Sequence, residues 1–362
     1  MMKCFLKCLL AIMLIPKIAL AIGEVEKIGP SLSHPWGMAF LSTDTILVTT
    51  RAGQLFNITL SSGAFTEIQN LPKVAHWGQG GLLDVAVSDD RVFLCYAKKI
   101  SGGAATAIDS ARLENNELKG RMTIFTSNNS PDSAHHFGCR LTISDNMIYA
   151  SLGDRGNRYN AQNPSIHDGA IIRIALDGSI PETNPKKAGW QSEIYSIGHR
   201  NPQGMTQHAE TGAIWTHEHG PQGGDEINII QKGENYGWPV VSFGDEYGTG
   251  TAVSNLTTHP DMVDPIWVWK PSIAPSGMAF YPSDGAMFPA LQGSLLVGSL
   301  KFKRLYKIML DEQGLPVSEM PIIDGTLGRI RDVAIAPDGA ILLLNDAGKT
   351  NQPSGGLYRI SK

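Results

Sequence analysis

The sequence predicts an all-β protein, a six-bladed β-propeller of four-stranded antiparallel sheets. Three observations predict it. After the first 20 or so residues no segment reads as a long amphipathic helix, and 39 Gly and 21 Pro in 362 residues supply many turns. One phrase recurs six times: a small apolar strand, a polar turn, a second apolar strand, then a Gly turn and a third. No composition shift marks a boundary between domains.

The phrase appears as WGMAFLSTDTILVTTRAGQLFNITL from Trp36, LLDVAVSDDRVFLCYA from Leu82 and RLTISDNMIYASLGD from Arg140. It returns as QGMTQHAETGAIWTHE from Gln203, SGMAFYPSDGAMFPALQGSLLVGSL from Ser276 and IRDVAIAPDGAILLLNDAG from Ile330, which closes with GGLYRI. Strands alternating at period two around Asp-Gly and similar turns are antiparallel hairpins. Six copies at spacings of roughly 45 to 75 residues fit one sheet per blade, each sheet buried against its neighbours. A large β-sandwich is the rival, and sandwiches do not usually repeat one opening phrase six times. Uneven spacing places insertions after Leu94, between Asp154 and Ala170, and around Phe243 to Asp264, where they would shape a pocket on one face.

The first residues, MMKCFLKCLLAIMLIPKIALA, put Lys3 and Lys7 before an apolar run that ends in Ala-Leu-Ala. That is the pattern of a secretory signal peptide spanning 1–21, with residues 22–362 as the single mature domain. Pro16 and Lys17 break the run before it is long enough to span a membrane, so no membrane span is expected after cleavage. Removing Lys3, Lys7 and Lys17 takes the formal charge from −4 to −7, and nothing suggests a nucleic-acid footprint. Cys4 and Cys8 leave with the leader. Cys95 and Cys139 remain, and they could pair or stand as buried free thiols.

Candidate chemistry sits in Gly- and Pro-rich turns, which cannot hold a helix and collect on loops. HWGQGG surrounds Gln79 with glycines. HHFGCRL sets His135 and His136 before a strand, where neighbouring residues face opposite sides and only one can enter a central pocket. ASLGDRGNR puts Asp154 in a Gly-bounded turn. GHRNPQG offers Arg200 beside Asn201, and HEHGPQGGDE offers Gly220 and Pro221. SLKFKR places Lys301 on a strand. GRIRDV places Arg329 and Arg331 two apart on one side of a strand, where two like charges repel unless an anion or acids lie between them. The pair is consistent with an anion site and, equally, with acids placed between the two guanidiniums.

The order GHRNPQG, GP-x-x-x-DEIN, NYGWP, with Gln79, His136, Asp154, Lys301, Arg329 and Arg331 at their spacings, resembles the soluble quinoprotein aldose dehydrogenases. These are relatives of soluble glucose dehydrogenase that use pyrroloquinoline quinone (PQQ) and calcium. The resemblance runs from about Trp36 to Ile360. It implies that His136, five residues before the strand leucine, is the general base and that Asp154 orients it. The position before it is often Asp in the glucose dehydrogenase branch and is His135 here. Gln79 would line the sugar and quinone site, with Arg200 and Asn201 also on the cofactor. Lys301, Arg329 and Arg331 would hold the cofactor carboxylates, Gly220 and Pro221 its calcium through backbone oxygens, and Trp267 would stand at the pocket rim. Glu226 and Tyr236 match a second calcium site of some relatives.

The activity so implied is oxidation of an aldose at C1 to the lactone. His136 would take the hydroxyl proton while the hydride moves to the quinone, and an external acceptor, unidentified from sequence, would collect the electrons. A periplasmic location and a monomer or homodimer complete the expectation. A calcium-dependent propeller lactonase needs carboxylates around its metal and has little use for Lys301, Arg329 and Arg331. A non-catalytic binding propeller is the third alternative.

Overall fold

The recurring phrase is the inner half of each blade. In a computed structural model that describes residues 23–129, 131–346, 348 and 353–362, six four-stranded antiparallel sheets ring a central axis. The expected leader lies outside the described residues. Strand β1 (Glu24–Leu32) comes first. Blade one is β2 (Pro35–Phe40), β3 (Thr45–Thr50), β4 (Gln54–Thr59) and β5 (Phe65–Glu67); blade two is β6 (Leu82–Ser88), β7 (Arg91–Ile100), β8 (Gly103–Glu114) and β9 (Glu117–Thr126). Blade three is β10 (Leu141–Ser144), β11 (Met147–Ser151), β12 (Ala170–Ala175) and β13 (Ile194–Ile197); blade four is β14 (Pro202–Gln207), β15 (Ile214–Glu218), β16 (Asp225–Ile230) and β17 (Trp267–Trp269). Blade five is β18 (Pro275–Phe280), β19 (Leu295–Ser299), β20 (Arg304–Leu310) and β21 (Pro316–Asp324). Blade six is β22 (Arg329–Ile335), β23 (Ile341–Asp346) and β24 (Gly355–Ser361), and β1 supplies its outer strand, Val25 opposite Ile360. The two ends of the described chain therefore close the ring. Among the described residues no helix is long and apolar enough to cross a membrane.

The core lies between blades rather than within them. Leu47 and Leu55 of blade one pack with Leu82, Val85 and Leu94 of blade two. Phe93 and Cys95 pack with Ile148 and Ile172 of blade three, Tyr149 and Ile171 with Met205 and Ile214, and Trp215 with Leu295 and Val297. Leu296 and Leu305 meet Ile330 and Leu343, whose sheet meets Ile46 and Val48 through Leu342 and Leu344. A sheet covered on both faces has no polar side, so β23 is buried at every residue and β3 at all but Thr45. Period-two alternation, expected throughout, survives on outer strands such as β21, where exposure rises and falls residue by residue. The insertion expected after Leu94 is a continuation of the long β7–β8 hairpin. The other two are real: 155–169 carries a 3-10 turn, Arg158–Gln162, and a long loop separates β16 from β17. Cys95 and Cys139 form a disulfide that ties β7 to the segment entering blade three.

Charge holds the axis. Arg140, just before β10, is buried between Asp84 of β6 (3.2 Å) and Asp332 of β22 (3.1 Å) and lies over the Trp36 ring. Asp84 also accepts from Leu141 N (2.8 Å), and Asp332 from Met38 N (3.0 Å), so each carboxylate staples its own blade to the next. The repeated glycine of the phrase makes room: a Cβ on Gly37 would lie 2.2 Å from the Asp84 carboxylate, and one on Gly277 2.2 Å from that of Asp332. Burial raises both carboxyls, against the pull of Arg140.

Removing one partner of a buried ion cluster strands the others, at about 3–5 kcal/mol. Arg140→Met should lose about that much unfolding free energy, read by chemical denaturation. In the variant Asp84 and Asp332 have folded pKa values raised further above their unfolded ones. Their contribution is present below the unfolded pKa and lost as pH rises through the folded one. The deficit should therefore be smaller in mildly acidic than in mildly alkaline buffer; an equal deficit at both would remove the carboxylates from the explanation.

Candidate active site

Bulges at the ends of the inner strands aim side chains into the channel mouth. The pairing register slips between Pro35 and Met38, Leu82 and Asp84, Pro202 and Gly204, and Ile330 and Asp332. A bulge re-aims the residue it contains, and Trp36, Leu83, Gln203 and Arg331 all line one cavity of about 560 Å³. A second lobe of about 760 Å³ adjoins it, sharing Gln79, Asn201, His219, Ala274 and Lys301.

The first lobe is cationic. Arg51, Lys301, Lys303, Arg329 and Arg331 line it, with Asp346 at its floor. Asp346 is the acid that the Arg329–Arg331 spacing requires: Arg331 Nη2 lies 3.1 Å and Arg329 Nη2 3.8 Å from the same carboxylate oxygen, and His34 Nδ1 3.0 Å from the other. Against its burial, Arg331 and His34 hold the Asp346 carboxyl down to about 2. Burial brings the Arg331 guanidinium down to about 10, with Asp346 opposing and Arg329 and Arg51 adding to the fall. The Nε atoms of Arg329 and Arg331 are buried without a partner. Five cations, one carboxylate and two orphaned guanidinium donors fit a flat polyanion. Lys301, expected on a strand, lies in the turn after β19.

The second lobe holds a histidine–carboxylate pair. The segment between blades two and three carries His136, whose N–H donates to Gln79 Oε1 (2.8 Å) and whose Nδ1 lies 2.6 Å from Asp154 Oδ1. Asp154 Oδ1 also accepts from Gly156 N and Oδ2 from the Trp238 indole N–H, each at 2.8 Å. Although burial opposes it, the hydrogen bond and charge of His136, then Gly156 N–H and Arg200, keep the carboxyl below its ordinary value. It is therefore an acceptor, and the Nδ1 proton points at it. Burial lowers His136, with the Asp154 hydrogen bond opposing and Arg200 and His135 adding to the fall. The ring is neutral at pH 7, and among the described residues its Nε2 has no protein partner. Both His135 and His136 line this lobe. The expectation that only one could enter fails because they lie on a connecting segment rather than a strand, and His136 has φ of 50°.

Arg200 lines the second lobe. Its Nη1 donates to His219 O (2.9 Å) and Gly220 O (2.8 Å), and the Tyr247 hydroxyl donates to Pro221 O (2.8 Å). The carbonyls of Gly220 and Pro221 thus face cavity-lining groups, and hard oxygens presented this way suit calcium. Glu218 accepts from the backbone N–H of both Arg200 and Asn201, fixing that dipeptide. Asn201 Oδ1 accepts from Gly138 N (3.3 Å) and Gln203 Nε2 (3.2 Å). His219 is neutral: burial takes it to about 3, and its Nε2 lies 2.7 Å from Pro275 O.

Three expected residues stand apart. Trp267 is on β17, the outermost strand of blade four, packed into the core shared with blade five; it lines neither lobe because an outer strand is remote from the axis. Glu226 and Tyr236 line a small hollow beneath the turn with Glu218. Burial, then Glu218, pushes the Glu226 carboxyl well up, and the nearby Asn228 Oδ1 is buried without a partner. The Tyr236 hydroxyl is already committed to Ile229 O (2.6 Å) and Gln231 N (2.7 Å), so it brings no free ligand. Among the described residues no three His, Cys, Asp or Glu side chains gather as a metal cluster. Arg51, Glu218, Trp238, Tyr247 and Asp346 were not singled out from sequence. Glu218 lay inside the motif HEHGPQGGDE and Trp238 inside NYGWP.

The channel mouth of this propeller thus joins a histidine–carboxylate pair to a cluster of cations. The chain belongs to the Glucose / Sorbosone dehydrogenase family, whose sequence profile matches residues 32–359. It is 37% identical over 352 residues to the aldose sugar dehydrogenase YliI of Escherichia coli, covering 93% of this chain and 92% of that one. A crystal structure of a glucose dehydrogenase superposes with a TM-score of 0.87 at 35% identity, over 94% of this chain and 99% of the other. A PQQ-bound aldose sugar dehydrogenase of Streptomyces coelicolor superposes with a TM-score of 0.76 at 26% identity, over 94% and 98%.

The Asp346 contacts predict a pH-dependent stability. A carboxyl depressed to about 2 in the folded state contributes about 2 kcal/mol above its unfolded pKa, and loses it as pH falls through the folded value. Asp346→Asn should be destabilised by about that amount at neutral pH and converge on the parent protein in acid. Parallel denaturation curves across that range, with a constant gap, would contradict the assignment.

Proposed function

We propose that the protein is a sugar dehydrogenase that oxidises an aldose at C1 to its lactone, with PQQ and calcium as cofactors. The observation that carries this reading is His136, paired with Asp154 and with Nε2 unpartnered, in a lobe that adjoins a cradle of five cations and one carboxylate and shares Lys301 with it. Family membership and the named activities of the relatives support it.

Lys301, Arg329 and Arg331 would hold the carboxylates of PQQ, and Gln79, Arg200 and Asn201 would also bind it. The oxygens of Gly220 and Pro221 hold calcium. When bound, the quinone supplies a two-electron acceptor for the sugar hydride. His136 Nε2 accepts the C1 hydroxyl proton. Asp154 holds the Nδ1 tautomer and stabilises the imidazolium that results. Arg200, fixed by Glu218 and by the carbonyls it bonds, adds positive charge to the lobe that holds His136 without having to reorganise. Glu226 and Glu218 line the small hollow that would take a second calcium. Residues 1–21 direct export to the periplasm, where the Cys95–Cys139 disulfide is stable, and residues 22–362 form the catalytic unit. The electrons leave to an external acceptor.

Metal-free, cofactor-free protein mixed with PQQ and calcium should acquire a quinone absorption band that an aldose bleaches. A lactonase or a binding propeller gives no such band, and its absence at saturating PQQ would sink the reading. His136→Gln should keep PQQ binding and lose ~10²–10⁴-fold in kcat, the usual contribution of a general base. Near-parental turnover in that variant, with dye reduction as the readout, would take the base role away from His136.

A further inference from the structure

Asp154 is held by three donors, and the one on Oδ2 comes from farthest away. The Trp238 indole N–H reaches it at 2.8 Å across 84 residues of sequence, fully out of solvent. Trp238 lies in the long loop between β16 and β17, yet its own backbone is pinned: its N–H donates to Gly198 O (3.0 Å), and its carbonyl accepts from Gln162 Nε2 (2.8 Å). Two guanidiniums lie over its ring, Arg200 at 5.3 Å and Arg158 at 5.6 Å. Arg158 in turn forms a two-pronged pair with Glu246 of the same long loop (2.5 and 3.0 Å). The indole is thus where the 155–169 insertion, the Arg200 turn and the long loop meet.

We propose that Trp238 is a positioning residue for the His136–Asp154 pair: its N–H fixes the second carboxylate oxygen, and with it the plane of Asp154 and the orientation of His136. A carboxylate held through Oδ1 alone could pivot about that oxygen and carry the imidazole with it. Bonding at both oxygens removes the pivot. The donor also draws negative charge toward Oδ2, moderating the pull of Asp154 on the imidazolium. Trp238 is uncharged, so it does this without adding to the field of the other groups. Those facing His136 are Asp154, Arg200, His135 and His219. Those facing Asp154 are His136, Arg200, Arg155, Arg158 and Asp168. The consequence for turnover rests on His136 acting as the base; the link from indole to carboxylate to imidazole does not.

Trp238→Phe keeps an aromatic face for the two guanidiniums and removes the N–H. In the variant reconstituted with PQQ and calcium, kcat should fall about ten- to a hundredfold, the scale of one hydrogen bond to a charged group, with PQQ affinity little changed. The pH at which kcat/KM rises should move upward, because the freed oxygen holds the imidazolium proton more firmly. The same upward movement should appear in the His136 imidazole titration followed by NMR in cofactor-free protein, where no turnover is involved. An unmoved titration would reduce Trp238 to a space-filling residue, whatever happened to kcat. Should the variant not fold, the parent protein still answers: the Trp238 indole N–H resonance should shift with the midpoint of His136 and exchange slowly with solvent. A resonance blind to that titration, or one exchanging freely, overturns the proposal. Full turnover in His136→Gln would instead sink the functional reading and leave the NMR link standing.

Discussion

The axis is the one place where all six blades must agree, and charge decides how they meet there. Arg140 is buried with two carboxylates, an arrangement that is costly unless every bond keeps its length and direction. Asp84 and Asp332 meet that demand by accepting, in addition, the backbone N–H of the next blade's inner strand. The glycines at 37 and 277 are part of the same construction, since a methyl group at either would strike a carboxylate. Apolar packing between blades is non-directional and would tolerate small rotations. The triad does not, so it fixes the angles that the greasy interfaces leave loose.

Those angles are transmitted upward by the bulges. The slips at the ends of β2, β6, β14 and β22 occur one or two residues from the axial layer, on the same strands. In β22 the bulged residue is Arg331 and the next is Asp332, so one strand supplies an axial carboxylate and a cation of the cradle side by side. A shift of that strand would break the triad before it misplaced the guanidinium. The cradle has its own internal restraint. Asp346 keeps Arg329 and Arg331 from repelling each other, while each Nε remains unpaired.

What the sequence disclosed follows from how local each signal is. The inner strand and first hairpin of a blade form within about 20 residues, so the repeated phrase could be read directly, and with it the blade count. The sixth blade's outer strand could not, because β1 pairs with β24 at the far end of the chain. The Arg329–Arg331 spacing announced a need for an acid, but the acid is Asp346 on the next strand and His34 backs it from blade one. Period two misled at His135 and His136, which lie on a connecting segment with no strand geometry to separate them. Trp267 looked like a rim aromatic because sequence order does not reveal distance from the axis. Trp238 sat in a legible motif, yet its partner lies in another blade.

The two lobes impose opposite requirements on their shared wall. An anion cradle is best when strongly positive, and a strongly positive field would favour a neutral base that cannot hold the proton it takes. His136 lies within reach of Arg200, which lowers its proton affinity, and burial lowers it further. Asp154 offsets both at 2.6 Å, and against its burial His136, Gly156 and the same Arg200 hold its carboxyl below the ordinary value. Arg200 therefore acts on the base twice with opposite sign, directly as a like charge to the imidazolium and indirectly by keeping its counter-charge deprotonated. That balance sets the proton affinity of the His136–Asp154 pair, and the backbone of the Arg200 that enters it twice is clamped by Glu218.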